Sequence, residues 1–394
     1  MPVVNRIAEY AAEMTAWRRD LHQHPEIAFE ERRTSDFVAA KLAEWGIEVH
    51  RGIAGTGLVG VLKGQGEAKG GISSIGLRAD MDALAMTEAN DFAHASRNPG
   101  RMHACGHDGH TATLLGAAKY LAETRNFSGT VNFIFQPAEE GGGGGRVMIE
   151  EGLFDRFPCD AVYGLHNAPD LPLGQAAVIP GTLLAASDRL YITVKGYGGH
   201  AAKPHLAVDP VLVGAHIVVA LQGIVSRRTD PLDSAVISIC QFHAGSADNV
   251  LPNEAELRGT VRTLKPETRD LMEKLIGQVA EATALAHGAT AEVRYVRMYP
   301  PTVNHPAQTE RAALATAKVL GEAGVRRDVL PVMGGEDFSF MLLARPGCFV
   351  MMGQAGKDKG AVPVHHPRYD FNDEMLPIGA SWFATLVEQE LPRR

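Results

Sequence analysis

The sequence predicts an α/β protein in which one domain of alternating strands and helices is interrupted by a smaller α+β insertion. Three observations predict it. The chain has 394 residues, more than one hydrophobic core usually supports. Strand-like and helix-like segments alternate through its first half and again near its end. Between Ser187 and Met298 the order changes to strand-helix-strand-strand-helix-strand, the order of a ferredoxin-like split βαβ unit.

The elements follow in turn. "RTSDFVAAKLAEWG" has cap candidates at Thr34 and Ser35, apolar residues at helical spacing, and Gly46 to end it. "GLVGVLKG" and "ISSIGLRAD" read as short apolar strands. "GHTATLLGAAKYLAETR" reads as a helix, "GTVNFIFQPAE" as a strand, "RVMIEEGLF" as a helix and "CDAVYGLHN" as a strand. In the insertion, "DRLYITVKG" alternates like a half-exposed strand, and Asp209-Pro210 opens a helix that runs to Arg227-Arg228. "AVISICQFHAG" and "EAELRGTVRT" are strands, a helix from Pro266 stops at Gly288, and "AEVRYVRM" is the last strand. A helix over Ala307–Ala323, strands "VLPVM" and "CFVMMGQ", and a terminal helix complete the chain. The expected domains are 1–186 and 300–394, together one α/β domain, and 187–299.

Hydrophobic content of 45% and charged content of 21% are those of a soluble globular protein. A formal net charge of -8 argues against nucleic acid or an anionic membrane as partner. Cys105, Cys159, Cys240 and Cys348 form no CxxC pair and no disulfide framework, which points to a reducing, cytoplasmic setting. The N-terminal segment lacks the apolar core of a signal peptide, and no apolar run is expected to approach a membrane span.

One stretch carries the chemistry. "RMHACGHDGHTA" places His103, Cys105, His107, Asp108 and His110 within eight residues, in a chain with four cysteines and sixteen histidines. Thiolate and imidazole are the donors that suit zinc and its neighbours. In an open α/β sheet, ligands gather beyond the carboxyl ends of the strands. Three strands end there in candidate groups: "GLRAD" leads to Asp80 and Asp82, "VNFIFQPAEE" to Glu139 and Glu140, and "AVYGLHN" to His166 and Asn167. Each pair alone reads as solvated carboxylates or a satisfied histidine. All of them on one rim read as a site. The run Gly141–Gly145 lacks the Gly-Lys-Ser/Thr ending of a phosphate loop, so it reads as backbone free to turn sharply.

"LRADMDALAM", "HACGHDGHTA", "FQPAEEGGGGG", "GLHN", "GGHAAKPH", "GGEDFSF" and "VHHPRYDFND" occur in the order seen in one family. The sequence resembles the two-metal amidohydrolases of the aminoacylase/carboxypeptidase type, in their hippurate hydrolase and auxin-conjugate hydrolase branch, from about His22 to the C-terminus. The resemblance implies a zinc-peptidase-like catalytic domain with a central mixed sheet covered by helices, and an inserted lid and dimerisation domain. It implies Cys105, His107, Glu140, His166 and His365 as ligands of two divalent ions, zinc or manganese, with nickel or cobalt as further candidates. His365 rather than His366 fits the family's His-x-Pro. Glu139 would be the general base, Asp82 would orient an imidazole ligand, and His200 would reach the partner subunit's site in a homodimer or tetramer. Glu336 and Asp337 fit a further active-site loop.

A bound divalent ion lowers the pKa of water and polarises a carbonyl, and two ions ~3.5–4 Å apart would share a ligand, for which Cys105 is the candidate. If the substrate is an N-acyl amino acid, its free carboxylate needs a partner; Asn249, Arg258 or Arg262, and His200 are candidates. Solvated arginines on an exposed sheet face are the plainer alternative. Domain closure would then complete the site, and the last strand of the insertion could pair with its mate. Expected substrates are small N-acyl amino acids (acetyl, benzoyl, indole-acetyl or longer) or, alternatively, the peptides of a metallo-carboxypeptidase or dipeptidase. A non-hydrolytic metal protein fits less well, because a structural zinc has no carboxylate base beside it.

Overall fold

The structure is a computed structural model that describes residues 3–66, 71–357 and 359–393. The chain forms two compact units: residues 1–181, 303–330 and 337–394, and residues 182–302 with 331–336.

The first unit is built on an eight-stranded mixed sheet. Its order is Glu48–Ile53, Gly57–Lys63, Thr130–Gln136, Ser74–Asp80, Ala161–Pro172, Gly347–Ala355, Ala176–Ala177 and Val325–Arg326. The four central strands run parallel, while Glu48–Ile53, Gly57–Lys63 and Thr130–Gln136 are joined by antiparallel ladders. Every residue of Ser74–Asp80 is buried, as expected of a central strand covered on both faces. The helices His107–Thr124 and Met375–Glu390 pack on one another, and Ala11–Gln23 packs on the first of them. Trp382, fully buried, donates its indole N–H to Thr316 Oγ1 at 3.0 Å, so burial leaves no polar group unsatisfied there.

Three local expectations fail. Thr34 and Ser35 are not caps: their helix is Arg32–Glu44, with Glu31 at the cap position. "RVMIEEGLF" is not one helix: Gly144–Glu150 and Leu153–Arg156 are separated by Gly152, whose φ of +83° breaks the helical path. "VLPVM" makes no strand, because Pro331 has no N–H to give a ladder; only an isolated bridge joins Val332 to Leu184. The edge position is taken by Val325–Arg326 instead.

The second unit is a four-stranded antiparallel sheet in the order Ala235–Ala244, Glu254–Thr263, Ala186–Lys195, Thr290–Tyr299, with helices Pro210–Arg228 and Pro266–Ala286. Asp209 caps the first helix, its Oδ1 accepting from the N–H of Val211 at 2.9 Å and of Leu212 at 3.4 Å. Along Ala186–Lys195 alternate residues Leu190, Ile192 and Val194 are buried against the helices, as period-2 patterning requires. Contrary to the expectation about apolar runs, Pro210–Arg228 is long and apolar enough to cross a membrane by length and composition. In this unit Val213, Ile217, Leu221 and Ile224 of that helix lie in the core.

A buried ion pair closes the second unit. Asp188 accepts from Arg269 Nε at 2.8 Å and its terminal nitrogen at 2.6 Å, from Tyr295 Oη at 2.6 Å, and from the N–H of Met298 at 3.0 Å. Asp188→Ala would strand Arg269 without a counter-charge. We expect it to lower stability by roughly 3–5 kcal/mol in urea denaturation.

Candidate metal centre

The register of the parallel strands sets the rim. Asp80 lies opposite Gln136, and Arg78 opposite Gly164, so His166, two residues beyond Gly164, stands at the level of Asp80. Past Gln136 the chain turns through Pro137 and Ala138 into Glu139 and Glu140. The metal-like stretch follows Asp82 and enters the helix His107–Thr124. All of these groups belong to the first unit.

His107 and His166 are each oriented by the second ring nitrogen. His107 Nδ1 lies 3.2 Å from Asp82 Oδ1, while its Nε2 is buried with no hydrogen-bond partner. His166 Nδ1 lies 2.7 Å from the carbonyl of Asn167, which leaves Nε2 to face Cys105 Sγ at 3.3 Å. Burial, aided by the His110 ring, holds His166 well below the usual imidazole range, so it is neutral with a lone pair to give. His365 Nε2 lies 3.3 Å from Glu140 Oε1. Asp82 serves twice, since its Oδ2 also accepts the N–H of Glu140 at 2.9 Å. A carboxylate behind a histidine is the usual support for a metal-binding imidazole.

The donor atoms converge. Cys105, His107 and His166 each offer an atom within 4.8 Å of the others, and so do Cys105, Glu140 and His365, and His107, Glu139 and Glu140. Glu140 Oε1, like His107 Nε2, is buried without a hydrogen-bond partner. Burial, with Glu140, Glu139 and Asp80 adding to it, pushes the Cys105 thiol well up. Against the same burial, Asp80, Asp82 and Glu140 push His107 up to about 10. Negative charge therefore exceeds what the side chains neutralise. A cation would remove both anomalies by accepting the orphaned atoms and the thiolate.

Beneath this layer Asp80, His110 and Asp337 are tied together by groups that the sequence did not single out, Arg78 and Gln136 among them. Arg78 spans Asp80 Oδ2 at 2.8 Å and Asp337 Oδ1 at 3.0 Å, and Asp337 also accepts from Gln136 and from the N–H of Gly145. His110 sits between Asp80 Oδ1 at 2.6 Å and Asn167 Oδ1 at 2.7 Å, its ring 5.4 Å from that of His107. The i, i+3 spacing of these two histidines on one helix was the available signal. His22, with Asp108 at 2.8 Å and Glu88 at 3.2 Å, is pushed up to about 9 despite burial, and Arg18 pairs with Asp370 and Asp373. No local pattern could have found that cluster, which joins residues up to 355 apart.

His200, Asn249, Arg258, Arg262 and Glu336 belong to the second unit. There His200, exposed on Gly199–His200, pairs with Val250, and the carbonyl of Asn249 accepts the N–H of Ala201 at 3.1 Å. Arg258 is bonded to Glu256 at 3.0 Å, Arg262 donates to Ser187 Oγ, and Glu336 is buried. His366 is exposed and bonds locally to the N–H of Arg368.

A mixed sheet that gathers a buried thiol, imidazoles oriented by neighbouring acceptors and adjacent carboxylates at its carboxyl rim is the framework of a metal-dependent hydrolase. The chain belongs to peptidase family M20/M25/M40, whose pattern matches residues 76–389. It is 40% identical over 388 residues to a hippurate hydrolase of Campylobacter jejuni, covering 98% of this chain and 99% of that protein. It is 40% identical over 384 residues to the IAA-amino acid hydrolase ILR1-like 4 of Arabidopsis thaliana, covering 96% and 86%. The crystal structure of the Bacillus subtilis YXEP protein, a dinuclear metal binding peptidase of the M20 family, superposes with a TM-score of 0.84 at 35% identity, covering 98% and 100%.

The turn into the helix His107–Thr124 depends on Gly106. Its φ is +96°, and a Cβ there would meet Asn167 Oδ1 at 2.4 Å and Tyr369 Oη at 2.6 Å. Gly106→Ala is expected to cost on the order of 2–4 kcal/mol from left-handed strain and overpacking, read as a lowered Tm.

Proposed function

We propose that this chain is a metal-dependent amidohydrolase that cleaves the amide bond of N-acyl amino acids, releasing a carboxylic acid and the free amino acid. The observation that carries the reading is the convergence of five donor side chains beside a further carboxylate, Glu139, at one rim, where Cys105, His107 and Glu139 are buried, Glu140 and His166 half-buried and His365 exposed. The full-length similarity to a hippurate hydrolase and an IAA-amino acid hydrolase supports the choice of substrate class.

In this reading Cys105, His107, Glu140, His166 and His365 would hold two divalent ions, and the Cys105 thiol would be deprotonated by them. When bound, the ions polarise the amide carbonyl, stabilise the developing oxyanion and acidify water. Glu139 takes the proton from the attacking water and later delivers it to the departing amine nitrogen. Its place one residue before Glu140 keeps it next to the ligands without making it one. Asp82 fixes the ring of His107 and the backbone of Glu140 together, so these two donors are placed as a unit. Recognition of the substrate's free carboxylate falls to His200, Asn249 and Arg262, with Glu336 as a further contact. Thiolate and imidazole donors favour zinc, with manganese as the competitor. Four free cysteines suit a reducing cytoplasm. The edge position of Thr290–Tyr299 in its sheet suits strand pairing in a homodimer.

The test is release of free amino acid from N-acetyl, N-benzoyl and N-indole-acetyl amino acids and from dipeptides. Each would be run on metal-stripped protein and again after adding zinc or manganese. Metal-dependent cleavage of an N-acyl class supports the reading, and cleavage of dipeptides alone overturns it in favour of a peptidase. Glu139→Gln should retain both ions by native mass spectrometry and lose roughly 10²–10⁴ in kcat; near-normal kcat removes it as the base. Cys105→Ser should lose metal, and full occupancy of both ions would remove Cys105 from the ligand set.

A further inference from the structure

Glu31, in "EIAFEERRTS", is an acidic residue fully buried far from any ligand in sequence. Its Oε1 accepts two backbone N–H groups, from Phe29 at 3.0 Å and from Ala138 at 2.9 Å, and its Oε2 accepts the hydroxyl of Thr56. The two N–H donors share a rare property. Phe29 (φ 62°) and Ala138 (φ 55°) are two of the five non-glycine residues with left-handed backbone among the described residues. That conformation costs roughly 1–2 kcal/mol per residue and persists only where surrounding contacts hold it.

Ala138 immediately precedes Glu139. Its carbonyl accepts the N–H of Gly144 at 3.1 Å, and the carbonyl of Glu139 accepts that of Gly141 at 2.6 Å. Gly144 has to be glycine, since a Cβ there would lie 1.8 Å from the carbonyl oxygen of Pro137. The glycine run thus clasps the turn from one side, and Glu31 clasps it from the other, across 107 residues of sequence.

We propose that Glu31 is a positioning residue for the general base: its carboxyl oxygen fixes the left-handed Ala138 peptide and thereby the direction in which Glu139 leaves the strand end. This rests on the assignment of Glu139 made above. The carboxyl of Glu31 bonds to Phe29, Ala138 and Thr56 and to none of the proposed ligands, and each bond is one it accepts. Burial pushes its carboxyl up to about 7 against the bond from Thr56, so it is held there at an energetic cost. An amide at position 31 would keep an acceptor oxygen for both N–H groups and present its NH₂ to the Thr56 hydroxyl. A methionine would fill the space with no acceptor.

The experiment compares Glu31→Met, Glu31→Gln and Glu31→Asp with the wild-type holoenzyme. It measures kcat and KM on a cleaved N-acyl amino acid, metal stoichiometry by native mass spectrometry, and amide hydrogen exchange of the segment 137–145. Glu31→Met should lose roughly 10–100-fold in kcat, with KM and both ions retained and faster exchange confined to that segment and to Phe29. Glu31→Gln should restore kcat to within about threefold of wild type and restore the protection. If the methionine variant does not fold, Glu31→Asp, one methylene too short to reach Ala138, replaces it in the comparison. Unchanged kcat and unchanged exchange in the methionine or aspartate variant overturn the proposal, as does a loss shared equally by metal binding and global stability. Should the wild type cleave no N-acyl amino acid, the assignment of function fails first, and the exchange of 137–145 alone decides the role of Glu31.

Discussion

Negative charge held out of water is the constraint on which the first unit's rim depends. Asp80, Asp82, Asp108, Glu139 and Asp337 are all buried, and taking a single ion out of water costs several kcal/mol unless it is paired. Buried arginines answer part of that charge: Arg78 is committed to Asp80 and Asp337, and Arg18 lies 3.7 Å from Asp108 while pairing with Asp370 and Asp373. Asp82 and Glu140 are left facing imidazoles, and His107 Nε2 and Glu140 Oε1, buried without hydrogen bonds, are atoms that a divalent ion would take. Part of the rim is in place before any ion arrives, because Asp80, Asp82 and Asp337 are already tied to ring or backbone N–H groups.

That preorganisation is bought with backbone strain. Phe29, Ala138 and His365 all have left-handed backbone, and each lies in a segment that feeds the rim. His365 is held by its N–H to the carbonyl of Ala104 at 2.7 Å, which links it to the residue before Cys105. Strain of this kind is tolerated where neighbouring contacts over-determine a conformation, and it is concentrated where function needs fixed directions.

Much of the fold was legible in the chain. The alternation of strands and helices, the split βαβ order of the insertion and the cap at Asp209-Pro210 are local patterns, and each reappears as a formed element. Proline at position 331 and glycine at position 152 defeated two of the local expectations, since a missing N–H and a left-handed φ outweigh apolar periodicity. The convergence of four segments on one rim could be expected because parallel strands align their carboxyl ends. Which atoms face one another could not.

What the sequence by itself determined is therefore the inventory: soft donors crowded around Cys105, carboxylates at strand ends, and the periodicities that build a mixed sheet and an antiparallel one. Only the tertiary structure decided how that inventory is wired. It placed Asp82 behind His107, sent Arg78 to Asp337 across 259 residues and put the Glu31 carboxyl under Ala138. Local spacing sets secondary structure because its hydrogen bonds close over a few residues. Buried polar groups must find partners wherever the fold brings them, and those partners have no spacing to read.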